Sequence, residues 1–169
     1  YAPYNALLNH VFPVDEDFTV SPQYGCPTVG ENGILTGGEG LVDTGTYVIE
    51  LHQHPVFCLE VKCGGNLFND STRELADYQM RARVRSLRRE LIVPKLHGIS
   101  AMAKTFAVYE YDNASSIVTP RPVRRDDIVM NDTAPIEHWQ YDILEPQGEQ
   151  RFRAIVADVK AMCLAASAQ

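Results

Sequence analysis

The chain has 169 residues, 45% of them apolar and 22% charged, with ten prolines and eleven glycines scattered along it. These values fit one globular domain large enough for a core without staples, and they exclude collagenous and low-complexity chains. No run approaches the roughly 18 uninterrupted apolar residues of a membrane span, so no membrane partner is expected. The chain does not open with a basic region and an apolar run, so no signal peptide is expected and an intracellular setting is favoured.

A net charge of −7 argues against nonspecific binding of nucleic acid or membrane by the whole surface. The distribution is uneven. Residues 1–61 hold eight acids and no Lys or Arg, whereas Ser71–Lys95 holds seven basic residues against three acids. That window carries a surplus of four positive charges and the remainder therefore −11. Such a division suits a cation on one side and phosphates on the other, or a solvated basic helix on an acidic protein. The four cysteines (Cys26, Cys58, Cys63, Cys163) form no CxxC pair, and Cys58 reads as a small buried residue.

In chain order, Pro3–Phe12 reads as a short helix and 13–40 as loop with one strand near Gly33–Leu35. Leu41–Leu51 and Pro55–Lys62 read as an antiparallel hairpin joined by His52-Gln53-His54. Ser71 with Glu74 three residues on reads as a capping box, opening a helix that runs to about Ile92 before Pro94. Ala76, Met80, Val84, Leu87 and Leu91 share one face of it. Arg81, Arg85 and Arg88 fall on the opposite, solvent face. Arg83 lies within the apolar face, with Gln79 on its shoulder one turn earlier, and so needs an acceptor on the core side. Leu96–Met102 and Thr105–Tyr111 read as strands, 113–139 as irregular and Gln150 to about Ala165 as a last helix. The expectation is one α/β domain over 1–169, a mixed central sheet flanked by helices, with 113–169 packed on its core.

The chemistry concentrates on Val56–Lys62. Alternation puts Phe57, Leu59 and Val61 on one side and Val56, Cys58, Glu60 and Lys62 on the other. Folding the hairpin about Gln53 brings Asp43 opposite about Cys63, close to Glu60 and Lys62. Two carboxylates so placed repel unless a positive charge sits between them. A hard divalent cation held by Asp43, Glu60 and the Val61 carbonyl fits, with Mg²⁺ first and Mn²⁺ second. An Asp–Lys or Glu–Lys ion pair at a sheet end is the plainer account.

Asp43 on one strand, followed by Glu60-Val61-Lys62 on the next, resembles the PD-(D/E)XK nuclease superfamily with its restriction-endonuclease-like, three-layer fold. The order of a helix, strands bearing the acids, a long helix containing Gln79 and further strands fits too, and the resemblance spans roughly Pro3–Asp112. The chain departs from the family at Val42, where proline is usual, and at Asn5 and Asn9, where many members carry a glutamate. The PKLHGIS stretch and Trp139–Leu144 are also similar to an uncharacterised fungal branch.

The resemblance implies a metal-dependent nuclease hydrolysing phosphodiester bonds of DNA or RNA. In it Asp43, Glu60 and Val61 hold the metal, and Lys62 orients or deprotonates the water. Arg83 with Gln79 contacts phosphate, and Arg81 and Arg85 guide the nucleic-acid backbone. A homodimer is compatible with the family but not readable from these residues. The alternative is a catalytically inactive domain of the same fold that binds nucleic acid or a protein through its basic helix. His52 and His54, with Cys58 or Cys63, offer a different metal site, although HQH also reads as a turn. No GxSxG serine and no phosphate-binding GK[ST] loop is present.

Overall fold

The computed structural model describes residues 2–22, 28–29, 35–36, 44–62, 67–126, 128–129 and 131–168. Helix α1 (Ala2–Val11) buries Leu8 and lays Tyr4, Leu7 and Val11 against the core. A single 3-10 turn follows, and Asp17 in the left-handed region (φ 64°) swings the chain into β1 (Phe18–Pro22). This strand falls where the sequence reads as loop, because its composition is turn-rich. As an edge strand it tolerates a terminal proline. Two-residue strands β2 (Thr28–Val29) and β3 (Leu35–Thr36) pair as a separate ribbon, which the expected strand meets at Leu35.

Strands β4 (Thr44–Leu51) and β5 (His54–Lys62) form the expected hairpin. Its two central residues, His52 (φ 51°) and Gln53 (φ 69°), both take the positive φ that a tight two-residue turn demands. A bulge between Ile49 and Glu50 then shifts the register by one residue. Val56 absorbs that shift and packs with Phe57 rather than alternating away from it.

Helix α2 (Asp70–Leu87) differs from expectation at both ends. The N-cap is Asn69, whose side-chain oxygen accepts from the Ser71 N–H and the Ser71 hydroxyl. Glu74 closes no capping box, because Thr133 and Arg125 engage its carboxylate. The helix stops at Leu87 rather than Ile92, since the chain must turn to bury Val93 and enter β6 (Lys95–Met102), and Pro94 disfavours a helical residue before it.

Next come β7 (Thr105–Asp112), β8 (Ile117–Thr119) and β9 (Tyr141–Asp142), the last two inside the stretch expected to be irregular or beside it. Helix α3 (Pro146–Ser167) starts four residues earlier than expected, with Pro146 in the first turn, where its missing N–H costs nothing. Gly148 allows the close docking of that turn, since a Cβ there would overlap the Asp142 carbonyl.

The main sheet runs β1-β4-β5-β6-β7-β8, and β9 pairs with the other end of β7. All neighbours are antiparallel except β5 and β6, which are parallel because α2 carries the chain back between them. The architecture is α/β, a mixed open sheet with helices on both faces. One core joins α1 and α3 to Phe57, Leu59, Val61, Ile99 and Phe106, and the other joins α2 to Val48, Cys58, Leu96, Tyr109 and Trp139. Tyr109 and Tyr111 are buried in that second core. Among the described residues no helix is long and apolar enough to cross a membrane.

Candidate active site at the end of β5

Because β5 is an inner strand covered on both faces, any charged residue on it must be buried. Glu60 is 4% exposed and Lys62 7%. The hairpin turn alone, pairing Leu51 with His54, would set Thr46 opposite Leu59; the bulge moves it opposite Glu60. On the other side, parallel pairing with β6 sets Ser100 beside Glu60 and Met102 beside Lys62. Glu60 is thus flanked by two hydroxyl residues, Thr46 and Ser100, both buried.

Helix α2 crosses this face and supplies two further groups. Arg83 donates from Nε to Glu60 Oε1 at 3.3 Å and from Nη2 to Thr46 Oγ1 at 3.4 Å. The acceptor that an arginine on the apolar face requires is therefore present. Gln79 lies one turn earlier on the same flank, and its Oε1 is buried with no hydrogen-bond partner among the described residues. Lys62 makes no ion pair among them either. Burial raises the Glu60 carboxyl above its ordinary range, against the pull of Arg83 and Lys62. Burial likewise lowers the Lys62 ammonium, against the Glu60 charge. Burial pushes the Cys58 thiol up to about 12, so it stays protonated and is no nucleophile.

The structure brings together Glu60, Lys62 and Arg83, with the Val61 backbone between the first two and Gln79 one helical turn before Arg83. The Val61 side chain points into the opposite core, so only its backbone is available here, in a strand paired to Gly45 and Ala101. Asp43 and Cys63 lie outside the described residues; the ladder is described as far as Thr44 opposite Lys62.

Arg81 and Arg85 are not part of this cluster. Arg81, expected in solvent, is buried on the other flank of α2. There Asp77 takes its Nε and Nη2 at 2.7 and 2.9 Å, and the Pro120 carbonyl takes Nη2 at 2.8 Å. Its guanidinium also lies 5.6 Å from the centre of the Tyr109 ring. Arg85 is exposed, over the Tyr78 ring. His52 and His54 occupy the hairpin turn at the far end of β5, and His54 Nδ1 lies 3.0 Å from the Glu90 carbonyl.

Sequence reasoning missed Thr46 and Ser100. Thr46 was within reach of a register count had the bulge been known; Ser100 depends on a parallel pairing that no local pattern announces.

A hard cation takes oxygen donors. Glu60 and the unpartnered Gln79 Oε1 are of that type, whereas the nearby Lys62 and Arg83 charges oppose a cation unless a second carboxylate joins. Among the described residues no three His, Cys, Asp or Glu side chains group to hold a metal. No family model matches this chain, and no curated protein and no solved structure matches it either.

Proposed function

We propose that the chain is a metal-dependent phosphodiester hydrolase acting on nucleic acid, with a restriction-endonuclease-like core. The observation that carries this reading is a buried lysine that forms no ion pair among the described residues, two residues after a buried glutamate, at the end of an inner strand. A lysine so held costs folding free energy and has a lowered pKa, as a proton-transfer group needs. The order α1, β1, β4, β5, α2, β6 keeps the succession of elements on which the resemblance to the PD-(D/E)XK superfamily rests.

Glu60, the Val61 carbonyl and Asp43 would hold Mg²⁺ or Mn²⁺. When bound, the ion would act as a Lewis acid toward the phosphate. The chain's own groups do the rest. Lys62 Nζ, eased toward its neutral form, accepts the proton of the attacking water. Gln79 Oε1 accepts a hydrogen bond from that water and orients it. Arg83 holds the Glu60 carboxylate in place and presents guanidinium N–H groups toward the phosphate.

The test is cleavage of plasmid DNA, single-stranded DNA and RNA with Mg²⁺ or Mn²⁺, beside an EDTA control. Metal-dependent cleavage that disappears in Lys62→Ala supports the proposal and identifies the substrate. Cleavage by Lys62→Ala at the wild-type rate would overturn it.

A second reading is a catalytically silent domain of the same fold that binds nucleic acid or a protein. It is favoured by the Glu60–Arg83 contact, which already engages one carboxylate oxygen. Titration with Mn²⁺ separates the two: binding lost in Asp43→Ala belongs to the hydrolase, and no binding belongs to the silent domain.

A further inference from the structure

On the flank of α2 away from Glu60, a concavity of about 400 Å³ opens between the helix and the β7–β8 edge. Among the described residues four arginines line it, Arg81, Arg85, Arg88 and Arg121, and no acid does. Arg81 is neutralised by Asp77. Arg85, Arg88 and Arg121 form no ion pair among the described residues. In a chain of net charge −7, three exposed guanidiniums converging on one cleft concentrate positive potential there and favour an anion. The carbonyls at the end of α2 account for Arg85 and Arg88. They do not account for Arg121, which arrives from the segment after β8. That segment is pinned to α2 by the Arg81–Pro120 hydrogen bond, so Arg121 is delivered to the cleft by a built contact. Beside the charges, Val84, Ile117, Val118 and Pro122 give the cleft an apolar wall.

We propose that this cleft is a nucleotide-binding site, separate from Glu60 and Lys62, in which Arg88 and Arg121 with Arg85 hold phosphate while the apolar wall covers the sugar or base. Guanidinium forks match phosphate oxygens in pairs. The volume lies within the range of about 300–1,000 Å³ typical of small-ligand sites and accepts a nucleotide unit rather than a duplex. The nucleotide comes either from a single strand or from a free nucleoside phosphate, and two binding arms distinguish these sources.

Binding is measured in EDTA, which removes cleavage from the readout. One arm follows a fluorescein-labelled single-stranded oligonucleotide by anisotropy; the other follows a nucleoside triphosphate by calorimetry. Arg88→Ala and Arg121→Ala are each expected to weaken binding about tenfold or more. Arg89→Ala, exposed and next in sequence but outside the cleft, is expected to change it less than about twofold. The salt slope of oligonucleotide binding should fall by about 0.7 for each phosphate contact removed. Binding of the triphosphate identifies a free nucleotide and binding of the oligonucleotide alone identifies a strand; either supports the site. The proposal is overturned if neither ligand binds, or if Arg89→Ala weakens binding as much as Arg121→Ala does. Equal competition by poly-glutamate at the same charge concentration also overturns it, since the cleft would then read charge and not phosphate. Binding is read in EDTA through Arg88 and Arg121, and the hydrolase is read as metal-dependent cleavage through Lys62, so failure of the hydrolase proposal and failure of this one are separately visible.

Discussion

Helix α2 buries three arginines, and two of them, Arg81 and Arg83 on opposite flanks, are held very differently. Arg81 sits in a closed network: Asp77 meets it through both oxygens, the Pro120 carbonyl takes a third hydrogen bond, and the Tyr109 hydroxyl donates to Asp77 at 2.9 Å. Arg83 reaches Glu60 and Thr46 at the longer distances of 3.3 and 3.4 Å, and among the described residues Gln79 Oε1, one turn earlier, has no partner and Lys62 forms no ion pair. A closed network stiffens a fold, whereas a buried acceptor with open hydrogen-bonding capacity, as Gln79 Oε1 has among the described residues, leaves a place for a ligand donor. The same helix therefore carries a structural clamp on one side and the candidate site on the other.

Four experiments sharpen or break that contrast. The largest expected effect is on the clamp. Asp77→Ala leaves Arg81 buried without its counter-charge and should cost about 3–5 kcal/mol in urea denaturation. A loss under about 1 kcal/mol would mean that the Arg81 flank is not structural.

Lys62→Met should act in opposite directions on activity and stability. Under the hydrolase proposal, cleavage falls about 10²–10⁴-fold. Thermal stability should hold or rise, because a desolvated ammonium is replaced by an apolar chain of similar length. A clear drop in melting temperature would instead make Lys62 a structural residue.

Glu60→Gln tests the electrostatics through pH. Burial raises the folded-state pKa of Glu60 above its unfolded value, so the ionised carboxylate costs stability above the folded pKa. That cost disappears as the pH falls through the folded pKa and below the unfolded one. The variant should thus be more stable than wild type at neutral pH. The advantage should close in acid, as followed by denaturation at several pH values. An advantage that grows toward low pH would contradict the assigned direction.

The smallest effect belongs to Thr46→Val, which removes one long hydrogen bond to Arg83. It should cost no more than about 0.5–1.5 kcal/mol in the same denaturation experiment. A larger loss would show that Arg83 is held as firmly as Arg81.

Much of the frame was legible in the amino-acid order because it is written in local patterns. The hairpin, the two strands after α2 and the apolar stripe of α2 follow from periodicity and turn chemistry. The demand of Arg83 for an inward acceptor followed from its angle on the helix alone. Helix ends were less legible, since Asn69, not Ser71, wins the cap, and Glu74 is drawn to Thr133, a residue 59 positions away. Strands β1 and β8 escaped notice because short edge strands carry little alternation of their own.

The sequence by itself determined that an acid and a lysine share one face of a buried strand, and that a helix with an inward arginine follows. Alternation by two and by 3.6 residues is a property of the chain's own geometry. Only the tertiary structure decided which residues meet them. The bulge at Ile49/Glu50 aligned Thr46 with Glu60, and the parallel pairing of β5 with β6 brought Ser100 alongside. Asp77 and Tyr109 withdrew Arg81 from solvent, and the Arg81–Pro120 contact set Arg121 beside Arg88. Those meetings depend on register and packing between segments distant in sequence, where each partner's position is fixed by the whole sheet and not by its neighbours in the chain.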